Sequence, residues 1–283
     1  MRFTIAMPTI AILQHPQIPR SQPLAQEIKA WLEAQRITVW LGSTWDNNVQ
    51  EMLNGEMDLL IVLGGDGSIL RAARSAAAWQ IPLFTINLGK LGFLSEVSPN
   101  EWQTKLACVL AGEYWLEKRL MLQATWQREG QTLGHYMALN EFVIGRGNQA
   151  RVIYLKMYVD GDHVTTYSAD GLIIATPTGS TAYAMAAGGP ILPPGLPNYL
   201  VIPVAPHLGL NRALILPQDA AAIIEVHMDH EANLTADGQD TVPLQDGDRI
   251  LIQKHALESH FARMGSSGYF YDRLMQRLGL SKE

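Results

Sequence analysis

The stretch Asp58-Leu59-Leu60-Ile61-Val62-Leu63-Gly64-Gly65-Asp66-Gly67 places a continuous apolar run directly before a turn of glycines around one aspartate. Apolar runs of this length are typical of parallel strands that are covered on both faces. The alanine-rich segment from 68 to 78 follows and favours a helix. A strand, a glycine-rich turn and a helix in this order indicate an α/β fold.

Strand and helix patterns alternate on both sides of this stretch. Thr9–Leu13 and Pro82–Asn87 are apolar enough to form buried strands, and a short β-rich run lies between 37 and 41. Between the first two strands, Ser21 is placed to cap a helix whose apolar face carries Leu24, Ile28 and Leu32. We therefore predict an open, mostly parallel sheet with helices on its faces.

The hydrophobic pattern changes near Lys118. Apolar residues then alternate with polar ones, as over Ile153–Val159, and Asp160-Gly161 fits a tight hairpin turn. Asp246-Gly247 predicts a second hairpin. Further strands are expected over the ranges 171–175, 223–228 and 249–252. This part of the chain is expected to form a mainly antiparallel β-sandwich.

Two domains follow from this change of pattern. The first is an α/β domain over 1–118, and the second is an all-β domain over 119–259. The tail 260–283 is expected to pack back on the first domain, with a helix over Tyr269–Leu280.

Composition excludes several classes of protein. The chain has 283 residues and a net charge of -6, so no general field attracts nucleic acid or anionic membranes. The apolar segment Met1–Leu13 is too short to span a membrane. The single cysteine, Cys108, excludes an internal disulfide and is expected to be a buried thiol on a helix. These features suit a cytoplasmic protein.

The turn Gly64-Gly65-Asp66-Gly67 has the chemistry of a phosphate site. Glycines let the backbone approach a ligand closely, and a helix start behind them favours phosphate oxygens. A carboxylate beside phosphates is unfavourable unless it binds a metal or takes a proton, and either role suits phosphoryl transfer to an alcohol. The alternative is that Asp66 merely caps the helix. Gly-Gly-Asp-Gly also occurs in lipid kinases and sugar-phosphate kinases, so it leaves the acceptor open.

Two polar segments suggest a nucleotide. Asn140-Glu141 offers an amide and a carboxylate, which suit ribose hydroxyls and a base edge. The segment Asp170–Tyr183 is a strand that ends in a turn with the hydroxyls of Thr178, Ser180 and Thr181. Tyr183 offers a flat face for stacking on a base. The alternative for each of these residues is an ordinary turn or core position.

Together these motifs resemble the NAD kinase family of the compact bacterial type. The matching segments are Gly64-Gly65-Asp66-Gly67, 87–94, Asn140-Glu141, Asp170–Tyr183, 188–192, Pro206-His207 and 236–239. The resemblance covers the chain from about Thr9 to the tail, and it implies that the α/β domain 1–118 is a nucleotide-binding domain and that the all-β domain 119–259 is an NAD-binding domain. It implies transfer of the γ-phosphate of ATP, held by Mg²⁺, to the 2′-hydroxyl of the adenosine ribose of NAD.

The resemblance also implies roles for individual residues. Asp66 would be the general base, and Gly67 would lie against the nucleotide. Asn140 and Glu141 would hold ribose and adenine atoms, and Asp170 would lie near the nicotinamide end, where a neighbouring subunit can supply it. The adenine pocket would be lined by Thr181, Ala182, Tyr183, Met185 and Ala186. Weaker matches to ligand-contacting positions are Arg71, Arg151, Ser168, Ala205 and Gln239.

Family members form dimers or tetramers, so the resemblance implies a homodimer or homotetramer. His227-Met228-Asp229-His230 contains residue types that bind metals, but a strand would point His230 away from His227, and no metal held by side chains is expected. A hydride-transfer fingerprint, Gly-x-Gly-x-x-Gly, does not occur, which favours NAD as a substrate over NAD as a redox cofactor. The remaining alternatives are a lipid or sphingoid-base kinase and a non-catalytic NADP sensor.

Overall fold

The computed structural model describes residues 8–46, 49–89, 92–149, 151–207, 210–266 and 268–280. The chain divides into two compact units, the first formed by 1–118 with 257–283 and the second by 119–256. Part of the apolar segment Met1–Leu13 and part of the motif 87–94 lie outside the described residues.

Strands and helices follow one another as expected for an α/β unit and then a β unit. The first unit begins with β1 (Thr9–Gln14), α1 (Ser21–Glu33), β2 (Thr38–Ser43), α2 (Val49–Met52), β3 (Leu59–Gly64), α3 (Asp66–Ala77), β4 (Leu83–Asn87), α4 (Trp102–Leu110) and β5 (Trp115–Arg119). The second unit contains β6 (Leu122–Arg128), β7 (Gln131–Ala138), β8 (Glu141–Arg146), β9 (Ile153–Val159), β10 (Asp162–Ala169), β11 (Gly171–Ala175), α5 (Tyr183–Ala186), β12 (Asn198–Val204), β13 (Leu214–Pro217), β14 (Ala222–His227), β15 (Ala232–Ala236), β16 (Asp240–Leu244) and β17 (Arg249–Lys254). The chain then forms β18 (Ser259–Arg263) and α6 (Tyr269–Arg277).

The first unit has a sheet of order β2-β1-β3-β4-β18-β5, in which β1 pairs with β2 and β3, and β4 pairs with β3 and β18, all in parallel. This confirms the predicted mostly parallel sheet. Every residue of β3 is buried, as its apolar run predicted. The chain leaves β1 toward β2 on one side and returns to β3 on the other. Such a switch of direction opens a crevice at the carboxyl ends of the strands, where ligands of α/β proteins bind.

Two details of the first unit differ from the prediction. Ser21 does not cap α1: the cap position is Arg20, and the buried Ser21 hydroxyl accepts the backbone N–H of His15 at 2.9 Å. Ser21 therefore holds the backbone directly after β1 through a hydrogen bond. Cys108 is partly exposed rather than buried, because it lies between Leu106 and Val109 on α4 and points away from their buried face.

The second unit is a sandwich of two antiparallel sheets, as predicted. Their orders are β10-β9-β14-β17-β6-β7 and β13-β12-β11-β8-β15-β16. Alternate side chains of both sheets meet in one core, for example Leu155 and Ile224 from the first and Phe142 and Leu172 from the second. Full burial of one such side chain contributes about 2 kcal/mol.

One of the two predicted hairpins is correct. Asp160 and Gly161 both have positive φ, 52° and 95°, and join β9 to β10 in a two-residue loop. Asp246-Gly247 is a turn, but it is not a hairpin. The strand before it, β16, pairs with β15, whereas β17 pairs with β14 and β6 in the other sheet. The turn therefore carries the chain from one layer of the sandwich to the other.

The tail returns to the first unit. The helix predicted over Tyr269–Leu280 is present as α6 and ends at Arg277. The sequence analysis missed β18, which extends the parallel sheet beside β4 through the pair Phe261 and Leu83.

Candidate active site

The glycine–aspartate turn lies at the carboxyl edge of the parallel sheet. Gly64 ends β3 and is paired with Asn87, the last residue of β4. Gly65 occupies the cap position of α3 in an extended conformation, and Asp66 is the first residue of the helix. The positive end of the helix dipole therefore faces the place where β3 and β4 end, which suits an anionic ligand.

Asp66 does not cap its own helix. Its Oδ2 accepts the backbone N–H of Phe93 at 3.1 Å, and its Oδ1 accepts that of Leu94 at 3.3 Å. Arg277 Nη1 lies 3.6 Å from Oδ2. The alternative that Asp66 is only a helix cap is thus wrong, because both carboxylate oxygens face a different segment of the chain.

Gly92 makes room for this carboxylate. A Cβ at position 92 would lie 2.0 Å from Asp66 Oδ1 and 2.6 Å from its carboxyl carbon. Any side chain there would displace Asp66. Arg71, a weaker match to a ligand-contacting position of the family, lies one turn after Asp66 in an exposed position of α3.

In the second unit, a buried carboxylate organises the predicted Asn140-Glu141 pair. Asp237 accepts the backbone N–H groups of Leu139, Asn140 and Glu141 at 2.9, 2.8 and 3.1 Å. Asp237 itself sits in the left-handed region with φ 50°. Asp237 belongs to the family motif 236–239, but its role follows only from the fold, which places it against the start of β8.

Glu141 carries a buried carboxyl group with a raised pKa. Burial raises the pKa of its carboxyl group to about 8, the negative charge of Asp237 adds to this, and the backbone N–H of Tyr183 opposes it. Its Oε2 is buried without a hydrogen-bond partner among the described residues. A carboxyl group in this state is mostly protonated at neutral pH, so it can donate a hydrogen bond as well as accept one.

The polar turn after β11 is packed tightly on Asn140. A Cβ on Gly179 would lie 2.1 Å from the Asn140 carbonyl oxygen, so only glycine fits. The hydroxyls of this turn are engaged with the protein: Thr178 accepts Arg119 Nη1 at 3.0 Å, Ser180 donates to the Pro177 carbonyl at 2.7 Å, and Thr181 donates to the Thr178 carbonyl at 3.2 Å. Their positions are therefore set before any ligand arrives.

Tyr183 and Asp170 share a cleft of about 460 Å³ on the outer face of the sheet that contains β11. Its lining includes Gly145 and Gly171, which are neighbours in register and carry no side chain. Several residues of the cleft were not predicted from the sequence: Val143, Arg146, Val204, Asn233, Thr235 and Thr241. Arg146 Nε lies 3.1 Å from Asp170 Oδ1. Polar residues alternating along β15 and β16 were the available signal.

The other predicted residues are dispersed over the second unit. Ala182 and Met185 are partly buried, and Ala186 is exposed on α5. Ser168 is buried near the end of β10, Ala205 follows β12 with φ 45°, and Gln239 lies in the turn of Asp237. Arg151 lies instead in a second cleft, with Tyr154 and His227, and pairs with Asp229 at 3.6 Å.

Within the described ranges, no group of three or more His, Cys, Asp or Glu side chains is arranged to hold a metal ion. His227 Nε2 lies 2.8 Å from Glu225, whereas His230 is directed to Asp229 and to the Arg151 carbonyl. In the same ranges, no helix is long and apolar enough to cross a membrane.

A glycine–aspartate turn at the carboxyl edge of a parallel sheet, followed by a β-sandwich with an open polar cleft, indicates a kinase that acts on a nucleotide. Family models agree: the ATP-NAD kinase N-terminal domain matches residues 10–114 and the ATP-NAD kinase C-terminal domain matches residues 139–264. The chain belongs to the ATP-NAD kinase family, whose members are ATP-dependent kinases.

Similar proteins support this assignment. The chain is 37% identical to the NAD kinase of Chloroflexus aggregans over 269 residues. These residues make up 95% of this chain and 98% of the relative. It is 37% identical over 275 residues to the NAD kinase of Heliobacterium modesticaldum, covering 93% and 96%. Among solved structures, yeast NADH kinase complexed with NADH has a TM-score of 0.86 at 25% identity, covering 99% of this chain and 90% of that one. An NAD kinase from Archaeoglobus fulgidus in complex with ATP has a TM-score of 0.76 at 25% identity, covering 97% and 98%.

Proposed function

We propose that this chain transfers the γ-phosphate of ATP to the 2′-hydroxyl of the adenosine ribose of NAD, forming NADP, with Asp66 as the general base. Asp66 takes the hydroxyl proton, the ribose oxygen bonds to the γ-phosphorus, and ADP leaves. The observation that carries the proposal is the orientation of Asp66: its carboxylate, at the N-terminus of α3, is held by the backbone N–H groups of Phe93 and Leu94. A fixed base of this kind contributes on the order of 10²–10⁴-fold to the rate.

The second unit would supply the dinucleotide pocket. Asn140 and Glu141 would hold ribose and adenine atoms, and the protonated Glu141 carboxyl would donate to a ring or ribose acceptor. Tyr183 is 45% exposed, so its ring face is accessible for stacking beside Thr181 and Ala182. The adenine pocket would continue through Met185 and Ala186, and Gly67 would lie against the nucleotide. Weaker matches to ligand-contacting positions are Arg71, Arg151, Ser168, Ala205 and Gln239.

Asp170 would contact the nicotinamide end of NAD, and a neighbouring subunit can supply it. A homodimer or homotetramer in the cytoplasm is therefore part of the proposal. The ion pair with Arg146 and the shared cleft with Tyr183 support a ligand-facing position of Asp170.

Mg²⁺ would arrive with ATP. Mg²⁺ is commonly bound by one or two carboxylates together with phosphates and water, so the phosphates of ATP would supply ligands to it. When bound, the ion would neutralise charge on the phosphates.

The test is formation of NADP from NAD and ATP, measured with an NADP-specific coupled enzyme. Asp66→Asn should fold but lose nearly all turnover, and a sample without magnesium should be inactive. Asp272→Asn, an exposed aspartate on α6, is the matched control and should keep its activity. Retention of most activity by Asp66→Asn would remove Asp66 from the role of base. If folded wild-type protein formed no NADP, polyphosphate and NADH would be the next substrates, and failure of both would favour a dinucleotide-binding protein without turnover.

A further inference from the structure

Three side chains on one face of α6 contact the segment 92–96. Phe270 is buried and its ring lies 6.4 Å from that of Phe93. Arg273 donates to the carbonyl oxygens of Gly92 at 3.3 Å and Glu96 at 3.0 Å, and also to that of Ser95. Arg277 lies one turn further on. Spacings of three and four residues place all three side chains on the same face of a helix.

The segment that α6 holds is the same segment that holds Asp66. Its Phe93 and Leu94 donate the two backbone N–H groups to the Asp66 carboxylate. Its Gly92 leaves the space into which that carboxylate fits. A shift of this segment would therefore move Asp66, because both carboxylate oxygens are attached to it.

Arg277 adds a direct contact with the carboxylate. Its Nη1 lies 3.6 Å from Asp66 Oδ2, and its guanidinium group lies 4.8 Å from the centre of the Phe93 ring. Packing on an aromatic face restricts the guanidinium group and keeps its charge near Asp66. The side chains are 40% and 31% exposed, so the pair is partly solvated and its energy is modest.

We infer that α6 positions the base: Arg277, together with the clamp of Arg273 on segment 92–96, holds the Asp66 carboxylate in its reactive orientation. This rests on the proposed function of Asp66. The cation also offsets the repulsion between the carboxylate and the phosphates of ATP, which would otherwise push Asp66 away when the nucleotide binds. Arg277 is thus a positioning residue, which acts through Asp66.

A purely structural role predicts a different pattern. An arginine in the last turn of a helix stabilises that helix by interacting with its dipole. Its loss would then lower the melting temperature, and any loss of activity would follow from unfolding. A positioning role predicts a lower kcat in a protein that stays folded.

The experiment compares Arg277→Ala, Arg277→Lys and the control Gln276→Ala, which shortens the neighbouring exposed side chain on the same helix. Arg277→Ala should lower kcat about fivefold, with a higher KM for ATP and an unchanged KM for NAD. Arg277→Lys should recover much of kcat because it keeps the cation. Both variants should melt within about 2 °C of the control. An unchanged kcat in Arg277→Ala, or a loss that lysine does not rescue and that follows the melting temperature, would overturn the inference.

Hydrogen exchange of the Phe93 and Leu94 amides provides a readout without turnover. Arg277→Ala and Asp66→Asn should both accelerate this exchange, whereas Gln276→Ala should not, because only the first two weaken the attachment of the segment to Asp66. If the wild type formed no NADP but the exchange followed this pattern, the proposed function would fail. The positioning of Asp66 by α6 through segment 92–96 would still hold. If NADP formed but exchange and kcat were both unaffected by Arg277→Ala, the inference alone would fail.

Discussion

Asp237 anchors the backbone of Glu141, whose N–H it accepts at 3.1 Å, and at the same time opposes ionisation of the Glu141 side chain. Burial is the larger cause, and the two together raise the pKa of the Glu141 carboxyl to about 8. The start of β8 is therefore built around two buried acids, of which Asp237 holds the backbone and Glu141 has a raised pKa. Each of these acids leads to a prediction about stability.

Glu141→Gln should change how stability depends on pH. The pKa of Glu141 rises from an ordinary 4.5 to about 8 on folding, so the native state binds more protons than the unfolded state between these values. Stability should fall as pH rises through this window, by an amount on the order of a few kcal/mol. Glutamine removes the titration and should flatten the fall. Urea unfolding between pH 5 and 9 measures how the free energy of unfolding depends on pH. The exposed Glu113→Gln is the control and should keep the pH dependence of the wild type.

Asp237→Asn should destabilise the protein by roughly 2 kcal/mol, because three backbone N–H groups lose a charged acceptor. Asparagine tolerates the left-handed conformation at φ 50°, so backbone strain is not the cause. Chemical unfolding would measure the loss against Asp162→Asn, an exposed position at the start of β10. Equal stability of the two variants would show that the hydrogen bonds to Asp237 contribute little.

Gly92→Ala should reduce kcat by about 100-fold, since a displacement of Asp66 by about 1 Å is enough for a loss of that size. The new Cβ would lie 2.0 Å from Asp66 Oδ1, so the carboxylate must move. Gly195→Ala is the control, because nothing lies within 4 Å of a Cβ at that position. Steady-state kinetics with ATP and NAD would measure kcat for both variants. A Gly92→Ala enzyme with normal kcat would contradict the described position of Asp66.

Arg128→Ala should destabilise the second unit by roughly 3 kcal/mol because it leaves the buried Asp248 without its counter-charge. Asp248 is fully buried and receives Arg128 Nε at 2.8 Å and Nη2 at 3.0 Å, with Trp126 Nε1 at 2.9 Å. Burial opposes ionisation of Asp248, but the hydrogen bonds from Arg128 and its neighbours prevail and lower its pKa. This contribution to stability is present above the ordinary pKa of aspartate and is lost as the pH falls below it.

Lys29→Ala is the contrast for Arg128→Ala. Lys29 and Glu33 form an exposed pair at 3.7 Å on α1, and its loss should cost less than about 0.5 kcal/mol. Thermal and urea unfolding of both variants would test the difference. Similar losses would mean that burial of Asp248 does not govern its energetics.

Several elements were predictable because their signals are local. The apolar run of β3, the glycines after it and the Asp160-Gly161 hairpin depend on residues that are adjacent in sequence. The Asp246-Gly247 turn was wrongly predicted as a hairpin, because a dipeptide determines the turn but not the partner of the strand that follows it. The strand β18 was missed because it is short and its pairing with β4 joins distant parts of the chain.

The sequence by itself determined that an aspartate follows a buried strand and begins a helix, since hydrophobic pattern and glycine content act over a few residues. It also determined the family, because the motifs of both units match it. Only the tertiary structure decided what Asp66 contacts, namely the amides of Phe93 and Leu94 and the guanidinium group of Arg277. It likewise decided that Asp237 holds Asn140 and Glu141. Such contacts join residues far apart in the chain, and the free energy that selects them comes from packing of the whole unit rather than from local propensity.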